Sequence, residues 1–459
     1  MVNVLKACKE RKIEQAIVGR GFFLVSSVIH LRMKDVKQMV VGFLSFGIFV
    51  LLINMTTNRP QFDPESLPLP SVNESSTVGD GVVVNKVSRE KQRRLWGEPG
   101  PFLQPCWEER LTVLKERPWG YIGVVLSNGP QYHHIQMAEA VVIAKYLGAT
   151  LLLPTIKNSE NEPNGQFDNI YHTGNFIKSL QGVVRVVGRL PDDLSSVSPA
   201  VVNVPYEATP NFIEEDIRPA LKRSAVVILG NFFVSRNKMK EEPLPELEAL
   251  RCLVMYKALQ FQPSVARLGD HIISRLREAG GSAGRHFVCI DLSTDGTIPK
   301  NCSSSREASE LPKSRKCVDI TVIGTLLVNF GFEDDTAIYL TQSRHDPNLE
   351  PLTNIFKNVH TKEYSMPFNE EKQVLYSGRT QFEKALDYYI CSRSDLFVPT
   401  VSNMFYSNVA GERIRLQNTH MLVPSFQCRS TNFSTCTSRY VTEKDHFVYK
   451  CMCPVDDKS

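Results

Sequence analysis

Four short segments carry the residue types best placed for chemistry: Ser127–His134, Asp291–Asp295, Thr341–Arg344 and Pro399–Phe405. Each follows an apolar run that reads as a buried strand, and open α/β sheets bind ligands beyond the carboxyl ends of their strands. The turn Ser127-Asn128-Gly129-Pro130 leads into a helical pattern. Backbone N–H groups at such a junction favour an anion, so Asn128 and Gly129 are candidates to hold a diphosphate. An ordinary tight turn would look the same. Ser402, Asn403 and Phe405 form the matching junction later in the chain, again with N–H groups and no fixed negative charge. Asp291 ends a strand pattern and is the candidate base or hydroxyl-orienting group. A carboxylate capping the next turn is the competing reading. No Walker loop, GxSxG elbow or HExxH helix occurs. The pairs Asp192-Asp193, Asp334-Asp335 and Asp456-Asp457 read as solvated turns, and an Asp-x-Asp for a metal-bound nucleotide is missing, so no metal is expected.

These segments need a scaffold that brings them to one edge. Gly120–Leu126 is a short apolar run. After the turn, Ile135, Ala138, Val142, Ala144 and Leu147 repeat at helical spacing and Gly148 closes the pattern. Thr150–Leu153 is a second apolar run, stopped by Pro154. Strand, turn, helix and strand within about 35 residues make a βαβ unit, which implies a parallel sheet. Val183–Val187 and Ala225–Leu229 add strands, with helices around Phe212–Arg223 and Leu244–Phe261. A second unit opens at His286–Leu292 and continues through the polar insertion Ser293–Lys316. A helix around Val318–Asn329, the strand Ala337–Leu340, a helix over Thr380–Ile390 and the strand Leu396–Val398 follow. The simplest architecture is α/β, with one half over 101–285 and another over 286–425 facing a ligand cleft.

Composition excludes other classes. With 459 residues, 42% hydrophobic and 22% charged, the chain is globular and larger than one ordinary domain. Its 53 basic and 49 acidic side chains nearly balance, so no nucleic-acid partner is expected. The basic excess is local: residues 1–37 hold eight Lys/Arg against three acidic residues, and no charge occurs from Gln38 to Asn58. A helix over 38–58 would span ~31 Å, matching a hydrocarbon core of ~30 Å. With its basic flank it reads as a single-pass type II signal anchor with the tail 1–37 in the cytosol. Residues 59–100 begin with Pro60, Pro64, Pro68 and Pro70 and read as a spacer stem. A lumenal body fits the sequons at Asn73, Asn301 and Asn432. It also fits the even ten cysteines that follow Cys8. Cys302 and Cys317 could close the insertion. Cys428, Cys436, Cys451 and Cys453 read as a Cys-rich tail, 426–459, paired among themselves, with zinc as the alternative.

Three blocks carry a family likeness: LSNGPQYHHIQMAEAVVIAKYLGATLLLP (Leu126–Pro154), IYLTQSRHDPNLEPLTNIFKNVHTKE (Ile338–Glu363) and LDYYICSRSDLFVPTVSNMFYSNVAGER (Leu386–Arg413). Together they resemble the plant O-fucosyltransferase-like family of Golgi glycosyltransferases. The SNGP turn and the MLVP ending (Met421–Pro424) are similar to the mannan-synthesis-related subgroup. The resemblance implies a GT-B-like fold of two Rossmann-like domains in the Golgi membrane. It implies inverting, metal-independent transfer of a sugar from a GDP-linked donor to a wall polysaccharide or glycoprotein. The family places an Arg after its second-domain strand, in His-Leu-Arg or Asp-Leu-Arg, to hold the donor phosphates; here the tripeptide is Asp291-Leu292-Ser293. Losing that contact costs roughly 1.5–3 kcal/mol. Either Arg285, Lys300 or Arg344 substitutes at the Ser293 site, or the chain is a non-catalytic accessory of a polysaccharide synthase.

Overall fold

Strands buried on both faces must be apolar throughout, and the apolar runs of this chain become such strands. The computed structural model describes residues 96, 102–108, 111, 119–157, 164–232, 244–281, 285–292, 320–342, 347–366, 380–400, 403–419, 421–423, 439–440 and 446–455. All lie within the unit Asp80–Ser459. The anchor candidate 38–58, the insertion, and Asn73, Ser293, Asn301, Ser402 and Asn432 lie outside the described residues. No helix among the described residues is long and apolar enough to cross a membrane.

Strand β1 (Leu103–Pro105) opens the described body. The first sheet contains β2 (Tyr121–Leu126), β3 (Thr150–Leu152), β4 (Thr155–Ile156), β5 (Gly165–Gln166), β6 (Val186–Val187), β7 (Ala200–Val204) and β8 (Val226–Phe232). β8 lies on one side of β2 with β7 outside it; β3 and β4 lie on the other, carrying β6 and β5 respectively. Every pairing is parallel except β4 with β5. The crossover helix α1 (Pro130–Leu147) starts with Pro at its first turn and ends where Gly148, at φ 63°, turns its N–H back to Ala144 and Lys145.

The second sheet has the order β11 (Asn358–His360), β10 (Ala337–Leu340), β9 (Phe287–Asp291), β12 (Leu396–Pro399), all parallel. Its side chains alternate between two cores, as the period of two requires. Phe287, Cys289, Ala337, Tyr339 and Phe397 join the apolar cluster that also contains β2 and α1. Val288, Ile290, Ile338, Leu340, Leu396 and Val398 face a second cluster with Trp96. The remaining main helices are α2 (Pro245–Leu253), α3 (Pro263–Ala279), α4 (Ile320–Phe330), α5 (Thr380–Arg393), α6 (Met404–Arg415) and α7 (Val448–Cys451). α5 packs on α3 and α1, and α6 packs on α5 and α1. These helices join the two sheets through one continuous core.

The structure corrects two expectations at the ends of the body. Trp96 is 9% exposed, stacking on His286 at 4.9 Å and meeting Phe332 edge-on, so the folded body reaches back into the segment read as stem. The tail cysteines do not all pair among themselves. Cys451 is bonded to Cys252 on α2, and Cys453 to Cys106 beside β1. The final strand (Met452–Pro454) pairs antiparallel with β1, which brings the CxC cysteines to partners in the first half. Cys428 and Cys436 lie outside the described residues. A third disulfide, Cys289–Cys391, ties β9 to α5 inside the core.

Candidate active site

At the end of β2 the chain turns through Asn128 (φ 69°) and Gly129 (φ 100°, ψ 173°) before α1 begins. Three bonds shape this turn. Ser127 N–H donates to Gln136 Oε1 at 3.0 Å, Gln136 Nε2 donates to Ser127 Oγ at 3.3 Å, and Gln131 Nε2 donates to Asn128 O at 3.0 Å. The last contact fixes the Gln131 amide, leaving Oε1 buried and unpaired. Gly129 is required here on two counts. Its backbone lies in a region essentially reserved for glycine, and a Cβ would meet Gln131 Oε1 at 2.8 Å and Lys384 Cδ at 2.9 Å. Gly129→Ala is therefore expected to cost about 1–3 kcal/mol. Gly148→Ala should cost less, because its Cβ would meet nothing within 4 Å. Chemical denaturation of the two variants checks this ordering.

Lys384 lies on α5. Gln381, Lys384 and Asp387 fall three residues apart and share a helix face. Gln381 Nε2 donates to Lys157 O at 3.2 Å, and Lys157 N–H donates to Leu126 O at 2.7 Å. α5 thus touches the carboxyl end of β2 and β4 through its first two turns. Like Gln131, Gln381 has its amide nitrogen taken by main chain and its Oε1 buried without a donor; the residues are 1% and 9% exposed.

Two histidines follow the turn. His133, fully buried, shares a 2.9 Å hydrogen bond between Nδ1 and the Tyr171 hydroxyl, and its Nε2 is unpaired. Burial, then the neighbouring His134 and Lys384, hold its pKa well below the ordinary value, so the ring is neutral near pH 7. His134 Nδ1 bonds Pro130 O at 2.6 Å, and its ring stacks on Tyr388 of α5 at 5.2 Å.

The carboxyl edge of the second sheet is knitted by its own strand ends. Asp291 has no exposed surface. Its Oδ1 accepts from Thr341 Oγ1 at 3.1 Å, and Leu292 N–H donates to that same Oγ1 at 2.9 Å. Thr400 Oγ1 donates to Asp291 O at 2.6 Å. In this arrangement the carboxylate faces Thr341 rather than solvent, the geometry of a strand-end tie. Lys362, 1% exposed, reaches Thr341 O at 3.1 Å and both oxygens of Asp387 at 2.7 and 2.6 Å; Tyr339 donates to Asp387 Oδ1 at 2.9 Å. Asp387 is on α5, so this helix links the carboxyl edges of both sheets.

Asn403 caps α6, its Oδ1 accepting from Tyr406 N–H at 2.9 Å. The Phe405 side chain is 1% exposed and packs against Tyr388 and Phe397 in the core, so only its backbone can serve a ligand. Arg285 precedes β9 and so sits at the opposite end of that strand from Asp291; it cannot take the place of an arginine at position 293. Lys300 and Arg344 lie outside the described residues. Among the described residues, the basic side chain whose stem lies against the Gly129 turn is that of Lys384, which neither motif nor spacing marked in the sequence.

Residues 131–416 match the family described as GDP-fucose protein O-fucosyltransferase. Protein MANNAN SYNTHESIS-RELATED 1 of Arabidopsis thaliana is 35% identical over 427 residues, covering 91% of this chain and 99% of the relative. Protein MANNAN SYNTHESIS-RELATED of Trigonella foenum-graecum is 32% identical over 422 residues, covering 91% and 99%. Among solved structures, POFUT1 in complex with GDP aligns with a TM-score of 0.41 at 15% identity, covering 65% of this chain and 96% of that one. From the extent of the family match and the identity to these relatives, the chain belongs to the GDP-fucose protein O-fucosyltransferase family.

Proposed function

We propose that this chain is a glycosyltransferase that takes a sugar from a GDP-linked donor and passes it to a mannan-type polysaccharide or a glycoprotein in the Golgi lumen. The observation that carries this reading is the pair of pinned carboxamides beside Lys384. Gln131 and Gln381 each give their nitrogen to a main-chain carbonyl, leaving two buried acceptor oxygens without donors. An unpaired buried acceptor is costly, and a ligand hydroxyl relieves it. A phosphate has no proton to give at neutral pH, whereas a glycosyl group carries several hydroxyls. The Lys384 ammonium, close enough to His133 to lower its pKa, supplies the positive charge that a leaving diphosphate needs. In this scheme Lys384 and the N-termini of α1 and α6 stabilise the diphosphate, and no metal takes part. Asp291 holds Thr341 and the end of β9 in place, acting through them.

A second reading, a non-catalytic accessory of a polysaccharide synthase, is favoured by Ser293 standing where the family resemblance implies an arginine. The relatives' names, which speak of synthesis-related proteins, accord with it.

Titration of the full-length chain with GDP and with GDP-sugars tests the geometry. Gln131→Leu and Gln381→Leu should each weaken GDP-sugar binding roughly three- to tenfold while sparing GDP. Lys384→Met should weaken both ligands. Equal losses for GDP and GDP-sugar in the Gln variants, or none, would remove the basis for placing the sugar there.

A further inference from the structure

A small, open-mouthed cavity of about 100 Å3 lies between α1, the turn after α2, the start of α6 and the C-terminal segment. Ile135 enters it between one and two helical turns after Gly129, and Ser407 one turn after Asn403, so it adjoins the candidate active site along two helices. Ile135, Met255 and Phe447 give it apolar walls. Glu139 is spent on fixed partners: Arg251 Nε at 2.6 Å and Nη2 at 3.0 Å, and Ala208 N–H at 2.8 Å. Tyr206, 46% exposed, stands at the rim beside the exposed Glu207. Partial burial first, and then the nearby Glu207 and Glu139 carboxylates, raise the Tyr206 pKa above its ordinary value. Asn408 Nδ2 is taken by Met404 O at 2.9 Å, leaving its Oδ1 as an acceptor on the wall.

We propose that this cavity is a subsite for a neutral pyranose of an acceptor glycan, with the sugar ring lying on Tyr206 and uronic acids turned away by Glu207. Its role as an acceptor subsite rests on the glycosyltransferase reading; the saccharide site itself does not. A pyranose presents an apolar C–H face and a rim of hydroxyls, which suits an aromatic edge over apolar walls with few polar groups. Among the described residues that line the cavity, the one guanidinium, Arg251, is already committed to Glu139, so an anionic sugar would meet Glu207 there without a compensating guanidinium. The wall is also held in advance. His446 is bonded through Nε2 to Ser407 O at 2.8 Å and accepts from Val448 N–H at 3.1 Å. The segment that carries it is clamped by Cys252–Cys451 and Cys106–Cys453. A preorganised wall saves ordering entropy on binding.

The test is calorimetric titration of the full-length chain with mannotetraose and cellotetraose as neutral probes, tetragalacturonate as the anionic probe, and GDP alongside. At least one neutral tetrasaccharide should bind roughly tenfold or more tightly than tetragalacturonate, the scale set by a like charge left unpaired. Tyr206→Ala, which removes the platform, and Ser407→Trp, which fills the mouth from an exposed position, should each weaken that binding roughly tenfold and leave GDP binding intact. Glu207→Gln should narrow the gap between neutral and anionic probes. Absence of neutral binding, equal affinity for tetragalacturonate, or indifference to both Tyr206→Ala and Ser407→Trp would overturn the proposal. Tyr206-dependent saccharide binding without GDP binding would keep the subsite and remove the transferase reading. GDP binding without it would do the reverse.

Discussion

Replacing Lys362 with Met is expected to lower the unfolding free energy by about 3–5 kcal/mol near neutral pH, because it strands a buried carboxylate. Lys362 and Asp387 are 1% exposed, and Lys362 is the only cation bonded to Asp387 among the described residues. The pH dependence identifies the cause. Burial pushes the Asp387 carboxyl up from 3.8 to about 6, against the pull of Lys362 and Tyr339. Between those two values the folded chain keeps a proton that the unfolded chain has released, so this group's contribution to stability falls as pH rises through that window. Without Lys362 the carboxyl rises further and the fall continues above pH 6. The penalty of Lys362→Met should therefore grow between about pH 6 and pH 8. The double variant Lys362→Met/Asp387→Leu should lose less stability than Lys362→Met alone, since no charge is left stranded. Urea denaturation at three pH values reads all of this. A pH-independent penalty, or a double variant worse than the single one, would show that the pair acts by packing alone.

Removing the C-terminal clamp should have the next largest effect. Cys252–Cys451 spans 199 residues and Cys106–Cys453 spans 347, so each closes a very long loop of the unfolded chain. Cys451→Ser or Cys453→Ser is expected to cost about 2–5 kcal/mol. The double variant should cost less than the sum, because both bonds hold the same short segment. A non-reduced digest should yield the linked peptides Cys106–Cys453 and Cys252–Cys451. Peptides joining Cys451 or Cys453 to Cys428 or Cys436 would contradict the structure.

The strands that could be read from sequence are those buried on both faces. Tyr121–Leu126, Phe287–Asp291, Ala337–Leu340 and Leu396–Pro399 match their apolar runs to within a residue. β7 escaped notice because it is an edge strand with alternating burial, its Val201 68% exposed. β4 and β5 are two residues long and leave no periodic signal, whereas β6 is the last two residues of the apolar run Val183–Val187. The disulfide partners were illegible because connectivity depends on where the tail docks, and β1 carries no motif that announces it.

The candidate site was half legible. The Asn128-Gly129 turn and Asp291 stood out as strand-end residues. Lys384 and Gln381 did not, since they reach the turn only by way of a helix more than 200 residues further along the chain. The Lys362–Asp387 pair was hidden for a different reason: charged residues are read as exposed unless a structure shows their partners. Phe405 shows the converse limit. Its position after a strand marked it for ligand binding, yet its side chain fills the core between Tyr388 and Phe397.

The central claim is that the site beside Lys384 binds a nucleotide sugar and transfers its glycosyl group. The most direct measurement is a turnover assay of the full-length chain against a panel of GDP- and UDP-sugars, with neutral oligosaccharides as acceptors. The glycosyltransferase account predicts GDP release from one GDP-sugar, accelerated by acceptor and strongly reduced in Lys384→Met. Failure to bind or turn over any nucleotide sugar, by folded protein with its disulfides intact, would contradict it and leave the accessory reading in its place.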